Sequence, residues 1–387
     1  MFLQRSWKAV ASMILGASLV AGAMAWPAHA ESARPRVVKN PYGNVNWDRV
    51  SPFIANLHSH TVYSDGRAEP EQLIRNYAEA GYHILAITDH DNYHTTRRGE
   101  RKTTPTHETT WPWTKWIEER PSKIWEREGV ETSAFFPGLG ERGMLAIRGN
   151  ELTTDPHIVS LFNPCGFTKR IRVPNAEHDR KRFARVGEAG GLAYWAHPAH
   201  YVPGGPWADR GFPWDKAIEY FGSLIAEFDS LLGIELQLLR QGPDHPKLEA
   251  ELFDRLLDAY YRDHDVFIKG SDDTHEVSVP ENVRATLTVV LAEELTEPSV
   301  RHALENGHTL VGSRVDVFPV LNRVAVDEDA KTIVLDIDYH DGVTWIKNGK
   351  THTEGESIDY SEMEDAILRF EVKAGEAVFY SQAFYID

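Results

Sequence analysis

Short apolar runs alternate with amphipathic stretches over residues 52–312, and this predicts a mainly parallel α/β sheet or barrel. A small β-rich appendage is expected over residues 313–387. Three observations carry the prediction. The apolar runs are mostly continuous rather than alternating, as strands buried on both faces require. Segments long enough for helices separate them. After Ser313 the texture changes to strand-like runs joined by polar turns.

In chain order, residues 1–30 are set aside first. Arg5 and Lys8 form a basic start, an apolar stretch runs from Ala9 to Trp26, and Ala28-His29-Ala30 offers an A-x-A cleavage site. This is the three-part pattern of a secretory signal peptide. An uncleaved anchor fits less well, because the apolar stretch is rich in small Ala and Gly and ends at a cleavage-like site. The mature chain is expected to begin near Glu31, with residues 31–51 as a lead-in, and to be exported, in a periplasm. No later segment is long and apolar enough to span a bilayer, so no membrane partner is expected after cleavage.

Strands are expected at Phe53–Leu57, His83–Thr88, Met144–Leu152, Ile158–Phe162, Leu192–Ala196, Ile234–Leu239 and Val266–Lys269. Helix-like segments lie between them at Pro70–Ala80, His178–Ala189, Asp215–Leu232 and Pro246–Asp263. Residues 92–142 interrupt the rhythm as a Trp-rich insertion with Trp111, Trp113, Trp116 and Trp125. A loop of that length in a compact domain is usually functional or disordered, and its tryptophans argue against disorder. In the appendage, Thr332–Tyr339, Ala366–Val372 and Ala377–Ile386 are the expected strands.

Composition narrows the function classes. With 42% hydrophobic and 26% charged residues, the chain is an ordinary globular one. Its formal charge is −17, and −19 once Arg5 and Lys8 are cleaved away. Such a body repels nucleic acid and anionic membranes, and an anionic substrate would need bound cations. The single cysteine, Cys165, cannot form an internal disulfide and has no neighbouring base to make it a nucleophile. There is no G-x-S-x-G elbow either, which favours metal chemistry over a covalent enzyme.

The chemistry-bearing residues cluster at predicted strand ends. Asn56-Leu57-His58-Ser59-His60 follows the first strand, and residues two apart in an extended chain point the same way, so His58 and His60 can share a metal ion. Asp65-Gly66 then turns the chain toward the helix near Pro70. Thr88-Asp89-His90-Asp91, Gly149-Asn150-Glu151, Ala196-His197-Pro198 and Gly270-Ser271-Asp272-Asp273-Thr274-His275 each close a later strand. His157 is the exception, since it opens one. Any one of these histidines alone is more often structural than a ligand. Together they converge, because the carboxyl ends of parallel strands share one face. Imidazole with carboxylate suits zinc, manganese or iron.

This series resembles the PHP (polymerase and histidinol phosphatase) superfamily in order and context, over roughly Pro52 to Gly312. The resemblance implies a distorted (β/α)7 PHP barrel, with a small C-terminal β appendage after it, holding two or three divalent metal ions. It implies that His58, His60, Glu151 and Asp273 hold the first metal. Glu151 would bridge to a second with His157 and His197, and Asp65, His90 and His275 would hold a third. The family's usual Ser-Asp-x-His ending carries one extra residue here, so either Asp272 or Asp273 can be the ligand, and the one-residue gap to His275 favours Asp273. Residues 303–310 also resemble the helix-and-strand segment that closes this family's barrel.

Around these ligands, Asp89 is a candidate to orient a histidine, or simply to cap its loop. His94, His107 and His200 match no motif position, and His200 is the one expected to reach substrate. Arg97, Arg98, Arg101 and Lys102 form a basic cluster that is either a solvated loop or a substrate-anion clamp. The expected function is an exported metal-dependent phosphoesterase acting on a small molecule through a metal-bound hydroxide. One alternative keeps the metals but cleaves an uncharged ester, amide or carbamate held against the insertion tryptophans, as in the carbaryl-hydrolase-like branch. A remoter one is a non-catalytic metal- or sugar-binding module.

Overall fold

The computed structural model describes residues 35–91, 110–166, 173–239, 244–278, 282–313 and 316–387. Residues 1–30 and the basic cluster Arg97 to Lys102, with His94 and His107, lie outside the described residues. Among the described residues, no helix is long and apolar enough to cross a membrane.

The strands that build the site are β2 (Ser51–Asn56), β3 (Ile84–Ile87), β6 (Met144–Leu152), β7 (Ile158–Leu161), β8 (Leu192–Trp195), β9 (Leu231–Leu236) and β10 (Phe267–Gly270). β1 (Val37–Lys39) precedes them, and β4 (Lys123–Arg127) and β5 (Val130–Phe136) form a hairpin ahead of β6. Every residue of β3, β8, β9 and β10 is buried, which explains their unbroken apolar runs. Helices α1 (Pro70–Glu79), α2 (Ala176–Glu188), α3 (Trp214–Glu227) and α4 (His245–Tyr260) separate them. α1 starts with proline at its first position, where no intrahelical N–H is needed, and α2 is capped by the Asn175 side chain accepting from His178 N at 3.0 Å.

The mixed α/β class holds, with one departure that matters for the site. β2, β3 and β6 pair in parallel, as do β8, β9 and β10, but β7 runs antiparallel to both β6 and β8. The amino end of β7 therefore lies on the rim that collects the carboxyl ends of the others. His157 opens its strand and still joins the cluster for that reason.

β11 (Leu287–Ala292) pairs antiparallel with β2, and α5 (Glu297–Glu305) leads into β12 (Thr309–Gly312), which pairs with β11. The sheet bends until β10 meets β11, but among the described residues no backbone ladder joins them and no closed barrel forms. Side chains fill the seam. Gly270 N donates to Thr288 Oγ1 at 2.8 Å, and the Thr288 hydroxyl lies 2.8 Å from Gly270 O. The buried Gln382 amide accepts from Ile268 N at 3.0 Å and donates to Ile268 O at 2.8 Å, acting as a one-residue strand.

Gln382 comes from the C-terminal stretch, which holds β13 (Val320–Asp327), β14 (Thr332–Asp338), β15 (Gly342–Lys347), β16 (Lys350–Glu354), β17 (Ser357–Asp359), β18 (Ala366–Ala374), β19 (Ala377–Ser381) and β20 (Phe384–Ile386). β19 pairs with β12 and β20 with β1, so these strands extend the main sheet, while β13, β14 and β17 form a separate one. β14 alternates buried and exposed residues, the pattern of a strand with one wet face. Of the insertion tryptophans, Trp111 and Trp113 are buried in the main core, the latter stacked on Phe136 with ring centroids 6.5 Å apart.

Candidate metal centre

The stretch after β2 stays extended and is tied down from both sides. Ser59 N donates to Thr88 Oγ1 at 3.1 Å, its hydroxyl donates to Ala86 O at 2.8 Å, and His60 N donates to Thr274 O at 2.9 Å. Ser59 thus turns toward β3, and His58 and His60 turn together into the rim, both fully buried. The following loop folds back so closely that a Cβ on Gly66 would lie 2.4 Å from the His60 carbonyl. Only glycine allows that approach, and it brings Asp65 Oδ1 to 3.7 Å from His60 Nδ1. Asp89 holds the loop by accepting from Thr61 N (2.7 Å), Thr61 Oγ1 (2.6 Å) and Ser64 Oγ (2.5 Å). It reaches His60 only through Ser64, whose hydroxyl lies 3.2 Å from His60 Nδ1.

Four ligand atoms then converge. His58 Nε2 is 3.1 Å from His60 Nε2, 3.5 Å from Glu151 Oε2 and 3.4 Å from Asp273 Oδ1. His60 Nε2 is 3.4 Å from Glu151 Oε2 and 3.0 Å from Asp273 Oδ1. Metal–ligand bonds of about 2.0–2.2 Å place neighbouring ligand atoms about 3.0–3.5 Å apart, so this is the spacing of a coordination shell. Lone pairs brought this close repel one another unless a proton or a metal cation lies between them. The donor set therefore fits a divalent ion.

Two further groups adjoin the first. Glu151 Oε1 lies 2.8 Å from His157 Nδ1 and 3.1 Å from His197 Nε2. Asp65 meets His90 Nε2 at 3.3 Å and His275 Nε2 at 3.1 Å. All nine residues singled out in the sequence come together, with a finer pattern than the three separate sets. His60 also belongs with Asp65, His90 and His275, and His90 belongs with Glu151 and His157. His197 and Asp273 both adopt left-handed backbone, φ 35° and 46°, at the turns that leave their strands.

The two adjacent aspartates part company. Asp273 faces the histidines, whereas Asp272 faces the core, accepting from Tyr77 OH (2.8 Å), Tyr82 OH (3.3 Å), Thr286 N (2.9 Å) and Arg284 N (3.2 Å). Burial raises the Asp272 carboxyl to about 6 despite those donors.

Electrostatics match the geometry. Burial alone would depress His58, but the carboxylates of Glu235, Asp273 and Glu151 outweigh it and hold the metal-free imidazole up at about 10. His60 moves the other way, to about 4, through burial and the neighbouring His275 and His90 rings. Burial favours a neutral Glu151, yet His90, His157 and His58 together hold it well below the usual carboxylate range.

A cavity of about 210 Å³ opens over the cluster, with His200, Trp207 and Arg210 on its wall. His200 stacks on His197 with centroids 4.6 Å apart. The loop carrying Trp207 and Arg210 packs down so tightly that a Cβ on Gly211 would lie 1.8 Å from Tyr201 O. Arg210 lies over the Trp207 ring at 4.8 Å and pairs with the buried Asp155 at 3.0 Å. Trp111, Trp113, Trp116 and Trp125 of the insertion do not line this cavity, and the indole on its wall is Trp207.

The motif series also misses Glu235, Gln237 and Lys269, all fully buried beside the cluster. Their signal was present: each is a polar residue set inside an otherwise apolar, doubly buried strand run.

Residues 56–263 match the family model described as the PHP domain. Shorter stretches are similar to error-prone DNA polymerases. That of Nocardia farcinica is 40% identical over 53 residues, covering 13% of this chain and 5% of that protein. That of Mycobacterium tuberculosis strain H37Rv is 34% identical over 90 residues, covering 22% and 8%. The chain thus spans 5 to 8% of the length of these curated relatives. A crystal structure from Bacteroides vulgatus, of a two-domain protein containing a predicted PHP-like metal-dependent phosphoesterase, aligns over 90% of this chain and 98% of that one. Its TM-score is 0.45 and its identity 15%.

Proposed function

The chain belongs to the PHP domain family, whose model matches more than half of it, and on that premise we propose that it is an exported metal-dependent hydrolase of small phosphate esters. The observation that carries the reading is the convergence of His58, His60, Glu151 and Asp273 at coordination-shell spacing. Export rests on the basic, apolar and Ala-His-Ala pattern of residues 1–30.

The nine residues would hold two or three divalent ions, zinc, manganese or iron by donor type. Bound there, such ions act as Lewis acids toward a phosphoryl group and lower the pKa of water, so that a nucleophile exists near neutral pH. The chain's own residues do the rest. The buried ligands exclude bulk water from one side of the cavity, and Arg210 presents a cation from its wall. That guanidinium is already fixed by Asp155 and Trp207, so it binds substrate oxygens with little further ordering. A covalent route through Cys165 is disfavoured, because burial pushes its thiol pKa up.

Purified protein assayed against phosphate mono- and diesters, aryl esters and carbamates tests the reading. Turnover of a phosphoester, lost on chelation and restored by Zn²⁺ or Mn²⁺, is expected. Turnover of aryl esters or carbamates alone would move the function to uncharged substrates, and sugar binding with no turnover would make it a binding module. Arg210→Ala is expected to raise KM for phosphate monoesters about tenfold or more, with a smaller change in kcat. An unchanged KM would remove Arg210 from substrate binding.

A further inference from the structure

Beside the first metal site lies a second tier of charge that does not line the cavity. Glu235 of β9 brings Oε1 and Oε2 to 2.9 and 3.0 Å from His58 Nδ1. β9 and β10 pair in parallel with Glu235 directly opposite Lys269, so their side chains lie together on one face. Lys269 Nζ contacts Glu235 Oε2 and donates to Ser271 Oγ at 3.1 Å. Gln237, two residues beyond Glu235, donates from Nε2 to Glu235 Oε1 and to Asp273 Oδ2, each at 3.1 Å. One carboxylate therefore touches His58 directly and Asp273 through a single amide.

Stability does not account for this arrangement. A buried Lys–Glu pair loses hydration on both ions, and an apolar pair of the same volume is often as stable or more so. Orientation does account for it. A carboxylate on the outer nitrogen of a metal-binding histidine selects its tautomer and fixes the ring.

We propose that Glu235, Lys269 and Gln237 form a positioning hub for the first metal site. Glu235 accepts the Nδ1 proton of His58 and so presents the Nε2 lone pair to the ion, Lys269 balances the Glu235 charge, and Gln237 holds Asp273 in the same frame. The hub rests on the metal-site reading above.

Cobalt binding separates the two. Metal-free wild type, the E235Q/K269M double variant and Q237M are titrated with Co²⁺ in competition with a chromophoric chelator, while the d–d absorption is recorded. The double variant keeps both side-chain volumes and removes both charges. Expected are an affinity loss of about 10–100-fold at the tightest site and a changed d–d spectrum in the double variant. A smaller affinity loss is expected in Q237M. Melting of the metal-free proteins serves as the folding control. A folded double variant with wild-type affinity and spectrum overturns the hub. If the double variant does not fold, Q237M decides: weaker cobalt binding supports the hub and unchanged binding overturns it. Failure of the wild type to bind cobalt would instead overturn the metal-site reading.

Discussion

Glu151→Gln is expected to lower kcat/KM on phosphate monoesters at least about a thousandfold, roughly 4 kcal/mol of transition-state stabilisation. It is also expected to release more than one metal ion per chain. The size of the effect follows from the position of this carboxylate. Oε2 lies within 3.5 Å of His58 Nε2 and His60 Nε2 and 2.7 Å from His90 Nδ1, while Oε1 meets His157 and His197. Five histidines thus converge on one side chain. Glutamine keeps the shape but removes the negative charge and turns an N–H₂ group toward lone pairs or a cation. Metal content by mass spectrometry and steady-state kinetics measure the two effects. Wild-type metal content with activity within tenfold would exclude Glu151 as the bridge.

The neighbouring aspartates should separate just as sharply, through different observables. Asp273→Asn is expected to lose the first metal and activity while leaving the metal-free protein about as stable as wild type. Asn tolerates the left-handed backbone that Asp273 adopts, so the fold is not strained by the change. Asp272→Ala is expected to keep its metals but to lose about 3 kcal/mol of stability. It strands the hydroxyls of Tyr77 and Tyr82 and the Thr286 and Arg284 amides around a buried gap. Metal analysis and urea melts of the metal-free proteins distinguish the two variants. Metal loss in Asp272→Ala with a stable fold would reverse the assignment.

The legible part of the site was the part built on strand ends. His58, His60, His90, Glu151, His197 and His275 each follow or finish an apolar run, and that run is what the chain order displays. His157 looked out of place only because strand direction is not written in residue order. The antiparallel pairing of β7 with both neighbours puts its first residue on the shared rim. The Asp272–Asp273 choice was open for a similar reason. Asp272 points into the core, and the left-handed backbone at Asp273 turns the next side chain to the rim, so two adjacent carboxylates face opposite environments. Of the insertion tryptophans, Trp111 and Trp113 serve the core, a role that residue type in a long loop does not reveal.

Local chemistry along the chain was enough to point to the mixed α/β class, the residues that converge in the His/Asp/Glu cluster and the PHP resemblance, because residue type and strand burial are properties of short segments. Three things depended on the folded chain. The sheet meets itself where Thr288 joins β10 to β11 and Gln382 joins β10 to β12, rather than through a closing ladder. The cation and ring on the cavity wall are Arg210 and Trp207. The charge behind His58 comes from Glu235 and Lys269. Each depends on partners distant in sequence, Gln382 on Ile268, Arg210 on Asp155 and Glu235 on Lys269, and these partnerships exist only once strand register and loop packing bring them within a few ångströms.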